Sequence, residues 1–536
     1  MKFGKEFVIF ALVLIAILAS VIIYPSITLA IFPLVLVFLG IIMFRQSGAV
    51  MAVIGWLVAL VLAIAYFHTG IDVALAASLY GIIKSFGITI AVLFTMYMIF
   101  LMKEANALEV ISAAIKRVAE TKEEQAIFIG IGFGSLVTSL GVVTPSLFPP
   151  LLIAMGFDPF SAVSVAVLGY NATTSFALLS IPITLPASLF NIDPMLLSYK
   201  ICLYLPVLAT LISFAMLYMI GGYLSVKKGW LSAILSGLSI GISALVFVLA
   251  GIPVLLIGVL SGGFTMYVLY IFSATRKQSS KEKLDMKKFV WAISPWIVLI
   301  AFALVISVPQ ITQMLKSVDG PLFYIYDKPV DLDIFVQIYT WIFLACIISI
   351  PMLKLSGGQV KKVTKMWAGR IGQPFLAYSL FFAIAYIMEW SARTVVDGRL
   401  VPSQWFENYN MNLIVASSLA GIFGASFIYV AAWLGLFGAV VGGSEASSNV
   451  MFYPIQKNIA TRIGLSDSQF LTTYAAHANG GGIASAITPS KINNAVVTIN
   501  GDANLESRVL RKHLIAVILI TIITGILNAL FIAWNL

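Results

Sequence analysis

The sequence predicts an all-α polytopic membrane protein of about 13 transmembrane helices. Two inverted repeats are expected within it, each holding a re-entrant hairpin and a broken helix. Three observations carry this reading. The 536 residues are 61% hydrophobic and 10% charged, with a mean hydropathy of +1.04, where soluble domains carry about 25% charge. Apolar runs of about 18 or more residues recur along the chain. Two further apolar regions, 125–190 and 411–495, are broken by Pro, Gly, Ser, Thr and Asn in the same order.

Complete spans are expected near 7–24, 26–44, 49–67, 86–102, 199–221, 230–248, 252–272, 289–309, 333–353, 371–392 and 513–534. The opening MKFGKEFVIFALVLIAILAS reads as an uncleaved first helix, because its apolar stretch is long and a second span follows at once. The chain divides into N-terminal scaffold helices (1–85), a first repeat (86–190), connecting scaffold helices (191–370), a second repeat (371–495) and a C-terminal helix (496–536).

The formal net charge of +10 follows topology rather than a nucleic-acid footprint. With the N-terminus cytoplasmic and the C-terminus outside, about 23 of the 32 Lys and Arg fall on the inner side. The run KQSSKEKLDMKK (277–288) then reads as a solvated cytoplasmic loop near anionic lipid. The expected location is the plasma membrane, the partners are the lipid bilayer and a small solute, and no nucleic acid is involved. Cys202 and Cys346 both fall in expected spans and imply no disulfide framework. Glu389 and Arg393, four apart at a helix end, read as a surface ion pair.

Segment 125–156 holds two apolar limbs of about 15 residues around a small polar centre. Such a limb rises about 23 Å, short of the roughly 30 Å hydrocarbon core, so the pair reads as a re-entrant hairpin. Segment 159–190 is interrupted by GYNATTS (169–175), which would free backbone N–H and C=O groups at membrane depth. The second half repeats the order: a span at 371–392, a hairpin at 411–462 with the tip GGSEASSN (442–449), and a segment 468–495 interrupted by HANGGGIASAITPS (477–490). The leading spans 86–102 and 371–392 run in opposite directions, hence the inverted repeat. A solute site is expected where the four polar patches meet.

These patches are rich in hydroxyls, amides and helix-end N–H groups and poor in fixed charge, which suits a small anion. Candidate substrate contacts are Thr144 and Ser146 in the first tip, Asn171, Thr173 and Thr174 in the first break, Ser444, Ser447, Ser448 and Asn449 in the second tip, and Asn479, Thr488 and Ser490 in the second break. Small residues of this kind otherwise serve as packing contacts between membrane helices. Glu445 is the sharpest feature, since a carboxylate at membrane depth is costly when ionised and usually functional. It is a candidate to take up a proton or hold a coupling ion, with His477 and Lys491 as further candidates for coupling.

Enzymatic motifs are lacking. G-L-S-I-G (237–241) matches a nucleophile pattern but lies inside an apolar helix without the strand–turn–helix context. No metal-ligand spacing, P-loop or cofactor fingerprint is present, so uphill transport would draw on a proton gradient or on sodium. An intramembrane enzyme and a passive anion channel are the readings from other classes.

The stretches WLGLFGAVVGGSEASSNVMFYPIQKNIATRIGLSD (433–467) and AAHANGGGIASAITPSKI (475–492) resemble the bacterial L-lactate permeases. So do VTPSLFPPLLIAMGFDPFSAVSVAVLGYNATTSFALLSIPI (143–183) and ALAASLYGIIKS (74–85). The resemblance covers nearly the whole chain and is most specific at 442–449. It implies proton-coupled import of lactate, and often glycolate, by an elevator-type fold that commonly works as a homodimer. Gly443, Ser444, Glu445, Ser447, Ser448 and Asn449 carry over one by one, followed by Asn171, Thr488 and Pro489. Val137 stands where the family has an acidic residue, and Ser485 lies near its usual lysine.

Overall fold

The computed structural model describes residues 20–536 except 21, 43, 45, 117, 118, 120, 142, 143, 276–284, 307 and 319, and the side chains of Ile42, Ser112, Ile115, Lys116, Ser146, Ser490, Val497 and Ala503. The first expected span, 7–24, lies largely outside the described residues. Among those described, eight helices are long and apolar enough to cross a membrane, or nine if Gly357–Ala368 and Gly372–Trp390, which meet at 43°, form one span. Pro25–Ile41 and Ile338–Met352 are shorter apolar helices. The limbs of the first hairpin fall below spanning length and do not enter this count.

The span expected at 230–248 and most of that at 199–221 fall within one helical run, Leu205–Leu249, while 199–202 belong to the separate helix Pro194–Cys202. Forty-five helical residues would rise about 68 Å, twice the membrane. Gly221 and Gly222 break the run, the latter at φ 61°. The halves then fold back on each other, with Gly237 and Gly241 against the backbones of Thr210 and Pro206 and the Ser213 and Ser236 hydroxyls 3.1 Å apart.

Among the elements outside the expected spans are a helix and two strand pairs. The helix Ile71–Lys84, which carries Asp72 and Lys84 and is not an apolar run, packs along Gly372–Trp390. Its Gly81 sits so close to Ala383 that a Cβ would lie 2.7 Å from that residue's Cα. Two short antiparallel hairpins, Phe323–Ile325 with Lys328–Val330 and Arg393–Val396 with Arg399–Pro402, lie in connecting loops. Asp327 joins them: its carboxylate accepts from the Leu400 N–H at 2.9 Å and from Lys328 Nζ at 2.9 Å. Those bonds, the Leu400 N–H first, hold its carboxyl below the usual carboxylate range. The second strand pair also corrects the expected Glu389–Arg393 surface pair. The helix ends at Trp390, Arg393 opens a strand, and its guanidinium lies over the Phe406 ring at 4.9 Å.

Both polar-centred regions are helical and interrupted near their polar centres, with bounds that differ from those expected. The first hairpin has one limb of Lys122–Ile127, a π-helical turn Phe128–Phe133 and Gly134–Ser139, and a second limb Thr144–Ala154. The second hairpin is Phe427–Gly442 and Glu445–Arg462, turning at Gly443 with φ 72°. Residues 411–423, expected within that hairpin, form a separate helix ended by Gly424.

The first broken helix runs Pro159–Leu168, a 3-10 segment Gly169–Phe176, and Ala177–Phe190. Leu178, Leu179 and Ser180 all take left-handed φ values of 51°, 52° and 66°, a conformation that costs a non-glycine residue about 1–2 kcal/mol. The second broken helix runs Asp467–Ile483, Ala484–Ile487 and Pro489–Val497. The interruption expected at 477–490 is therefore narrower, because 477–483 stay helical. The glycines there serve packing: a Cβ on Gly480 would lie 2.1 Å from the Ala432 carbonyl oxygen, and one on Gly435 would lie 1.9 Å from that of His477.

Each hairpin's second limb packs on its own broken helix and on the far half of the other one. Thr144–Ala154 lies on Pro159–Leu168 and Pro489–Val497, and Glu445–Arg462 lies on Asp467–Ile483 and Ala177–Phe190. Leu205–Leu249 covers the first break, and the C-terminal helix Ala503–Ala533 covers the second.

Candidate functional site

The second tip aims two residues at the first broken helix and spends the others on its own fold. Ser444 is the N-cap of Glu445–Arg462: its hydroxyl accepts from the Ser447 N–H at 3.1 Å, and the two hydroxyls lie 2.8 Å apart. Ser448 donates to the Gly435 carbonyl at 3.1 Å. Glu445 and Asn449, four residues apart and so on one helix face, turn the other way.

The Glu445 carboxylate is 2% exposed. Ser175 Oγ of the first break donates to its Oε1 at 2.6 Å, while Oε2 has no hydrogen-bond partner. Gly482 makes room for it, since a Cβ there would stand 3.0 Å from Oε2 and 3.3 Å from Thr174 Cβ. Asn449 Nδ2 donates to the Pro182 carbonyl at 2.9 Å. That carbonyl is free because residue 186, which would donate to it within the helix, is a proline without an N–H. Asn449 Oδ1 is left without a partner.

The first break is similarly unsatisfied. Asn171 Nδ2 donates to Val167 O at 3.0 Å, but Asn171 Oδ1 and the hydroxyls of Thr173 and Thr174 have no partner. Asn171, Thr174, Ser175, Asn479 and Gly482 line a small cavity roofed by Leu205, Leu208 and Ile212. Its free volume of ≈ 10 Å³ is about that of one water. Asn479 itself donates away from Glu445, to Ala475 O at 2.9 Å and Ile201 O at 3.4 Å.

The remaining candidates are tied up elsewhere. Thr144 donates to Ala166 O at 3.3 Å and Thr488 to Ala484 O at 2.8 Å. The side chains of Ser146 and Ser490 lie outside the described residues. His477 is fully buried between two neutral partners, Gln456 Nε2 at 2.5 Å from Nδ1 and Ser448 Oγ at 3.1 Å from Nε2. With Ser448 donating to Gly435, Nε2 carries the hydrogen and Nδ1 accepts. Lys491 donates to Ser485 Oγ at 2.5 Å. Its ammonium thus reaches Ser485 in the second break. The Pro182 carbonyl and Gln456 were not among the sequence candidates, although the Pro182–Pro186 spacing is the readable signal for the former.

Comparison with known proteins bears on this arrangement as a whole. The sequence model of L-lactate permease matches residues 26–534, that is, both hairpins and both breaks. The chain belongs to the L-lactate permease family. It is 25% identical to glycolate permease GlcA of Escherichia coli strain K12, covering 94% of this chain and 95% of that protein. It is 22% identical to the L-lactate permease of the same strain, covering 95% and 96%, and 22% identical to that of Bacillus subtilis strain 168, covering 94% and 96%. Membership in the L-lactate permease family makes this a multi-pass membrane transport protein and not an enzyme.

Proposed function

We propose that the protein is a secondary active transporter that imports L-lactate, glycolate or a closely related 2-hydroxy monocarboxylate across the plasma membrane together with protons. The observation that carries this reading is the buried Glu445 carboxylate, half bonded to Ser175 and half unpartnered, facing a break lined by unpaired oxygens. The names of its relatives, glycolate permease and L-lactate permease, supply the substrate class.

Electrostatics supports the coupling. Glu445 Oε2, Asn449 Oδ1 and Asn171 Oδ1 are acceptors only, and a substrate carboxylate would be repelled by them while Glu445 is ionised. Lys491 is engaged by Ser485. Protonating Glu445 removes the like charge and turns its free oxygen into a donor. The substrate carboxylate then has a hydrogen bond to accept, and its hydroxyl has Thr174 and Asn171 beside it. Departure of the proton with the substrate on the far side completes the coupling.

The small cavity must widen to admit such a substrate, which favours a moving hairpin domain. The alternating packing of the two hairpins on the two broken helices supports an inverted repeat, with 86–190 and 371–495 as its units and the remaining helices as scaffold. An N-terminus inside, a C-terminus outside and a homodimer belong to the same reading.

Reconstituted protein in liposomes with an inward proton gradient should accumulate labelled lactate or glycolate. Absence of gradient-driven uptake of both acids sinks the substrate assignment. The same unpaired oxygens also suit a sodium ion. Uptake that follows sodium when it replaces potassium, and ignores the proton gradient, would assign the coupling to sodium instead.

A further inference from the structure

We propose that His513 is a positioning residue that clamps the second break to the first broken helix. It stands in the C-terminal helix Ala503–Ala533 and is fully buried. Its Nδ1 lies 3.0 Å from the carbonyl oxygen of Ala486, in the 3-10 segment of the second break. Its Nε2 lies 3.0 Å from the hydroxyl of Ser164, on the first broken helix and also fully buried.

The chemistry of the partners fixes the ring. A carbonyl only accepts, so Nδ1 carries the hydrogen; Nε2 then has its lone pair free and accepts from the Ser164 hydroxyl. Serines inside helices commonly bond back to their own chain; this one instead donates across to another element. The break frees the carbonyls of 484–487 from regular helical bonding, and a free carbonyl buried in a membrane protein is costly. His513 supplies one of these with a donor and, through its other nitrogen, ties that donor to the opposite repeat. One neutral side chain therefore sets the spacing between the two broken helices.

On its own helix the neighbouring charged residues Arg511 and Lys512 are exposed. Lys491 is on Ser485, and Arg508, one turn earlier, lies over the Phe160 ring at 4.6 Å. Among the described residues no carboxylate hydrogen-bonds the imidazole, so none of these contacts favours the imidazolium. The ring is a connector and not a proton carrier.

The test uses the full chain in lipid nanodiscs and liposomes, comparing wild type with His513→Leu, His513→Gln and Ser164→Ala. Nitrogen-15 spectra of the wild-type imidazole should report a single neutral tautomer with hydrogen on Nδ1 between pH 5.5 and 8. His513→Leu should raise amide hydrogen exchange in 484–488 by about tenfold or more, as expected for losing two hydrogen bonds. It should also raise the KM for acid uptake more than it lowers the maximal rate. Ser164→Ala should give a smaller change of the same sign. His513→Gln keeps one donor and one acceptor and should restore most of both. An imidazolium spectrum, wild-type exchange in His513→Leu, or a glutamine variant no better than leucine overturns the proposal. Should neither lactate nor glycolate be transported, the spectra and the exchange data still decide it, because they read the clamp without substrate.

Discussion

The two breaks answer the same problem in opposite ways. In the second, the polar groups are spent: Thr488 bonds Ala484, Lys491 bonds Ser485 and His513 bonds Ala486. In the first, Asn171 Oδ1 and the hydroxyls of Thr173 and Thr174 are buried without partners, and three consecutive residues beyond it are left-handed. Burying an unpaired polar atom costs about 1–3 kcal/mol, and so does a non-glycine residue in a sparsely populated conformation. Structures keep such costs where they are used. The difference teaches that two elements of related sequence pattern meet burial differently: the second break is a fitted joint, while the first, under the function proposed above, is the reactive half of the site, completed by Glu445 and Asn449 from the opposite hairpin.

Glu445→Gln breaks this comparison hardest. Glutamine can still accept from Ser175 but has no titratable proton. Gradient-driven accumulation should fall on the order of 100-fold or more, while exchange of internal for external acid persists. Uptake assayed in both modes separates the two effects. A variant that still accumulates acid normally removes Glu445 as the coupling group.

Much of this asymmetry was not legible in the sequence. The apolar runs and the two polar-centred regions were, because membrane burial leaves few alternatives to helices and forces small polar residues into conspicuous places. So was the burial of the Glu445 side chain. The roles within GGSEASSN were not: whether a serine faces solute or caps a helix depends on which way the turn sends it, and Ser444, Ser447 and Ser448 went to the fold. Gly480 of HANGGGIAS reads as part of a break but serves helix contact, because a missing Cβ permits either use. His513 passed as one residue in an apolar span, since its partners lie 27 and 349 positions away.

Gly482→Ala should produce the next largest effect. Its Cβ would stand 3.0 Å from Glu445 Oε2 and 3.3 Å from Thr174 Cβ, so it intrudes between the reactive break and the carboxylate. Overpacking of this kind costs about 1–3 kcal/mol. If that cost falls on the bound state, the KM for acid uptake rises about tenfold or more. Titrating uptake against substrate concentration measures it. A KM unchanged in a well-folded Gly482→Ala protein would mean that substrate does not enter between Glu445 and Thr174.

The smallest effects discriminate best, because they compare one substitution in both breaks. Thr174→Val replaces an unpartnered buried hydroxyl by a methyl of similar size, so the protein loses no internal hydrogen bond. Its thermal midpoint should stay at or above that of the wild type, while the KM for acid uptake rises a few-fold through loss of a substrate partner. Thr488→Val removes the bond to Ala484 O and leaves that carbonyl short of a donor. Stability should fall by about 1 kcal/mol, with the KM unchanged within about twofold. Midpoints and KM values measured on the two purified variants check both halves at once. The reverse pattern, a destabilised Thr174→Val with normal affinity and a stable Thr488→Val with weakened uptake, would exchange the roles assigned to the two breaks and move the substrate to the second.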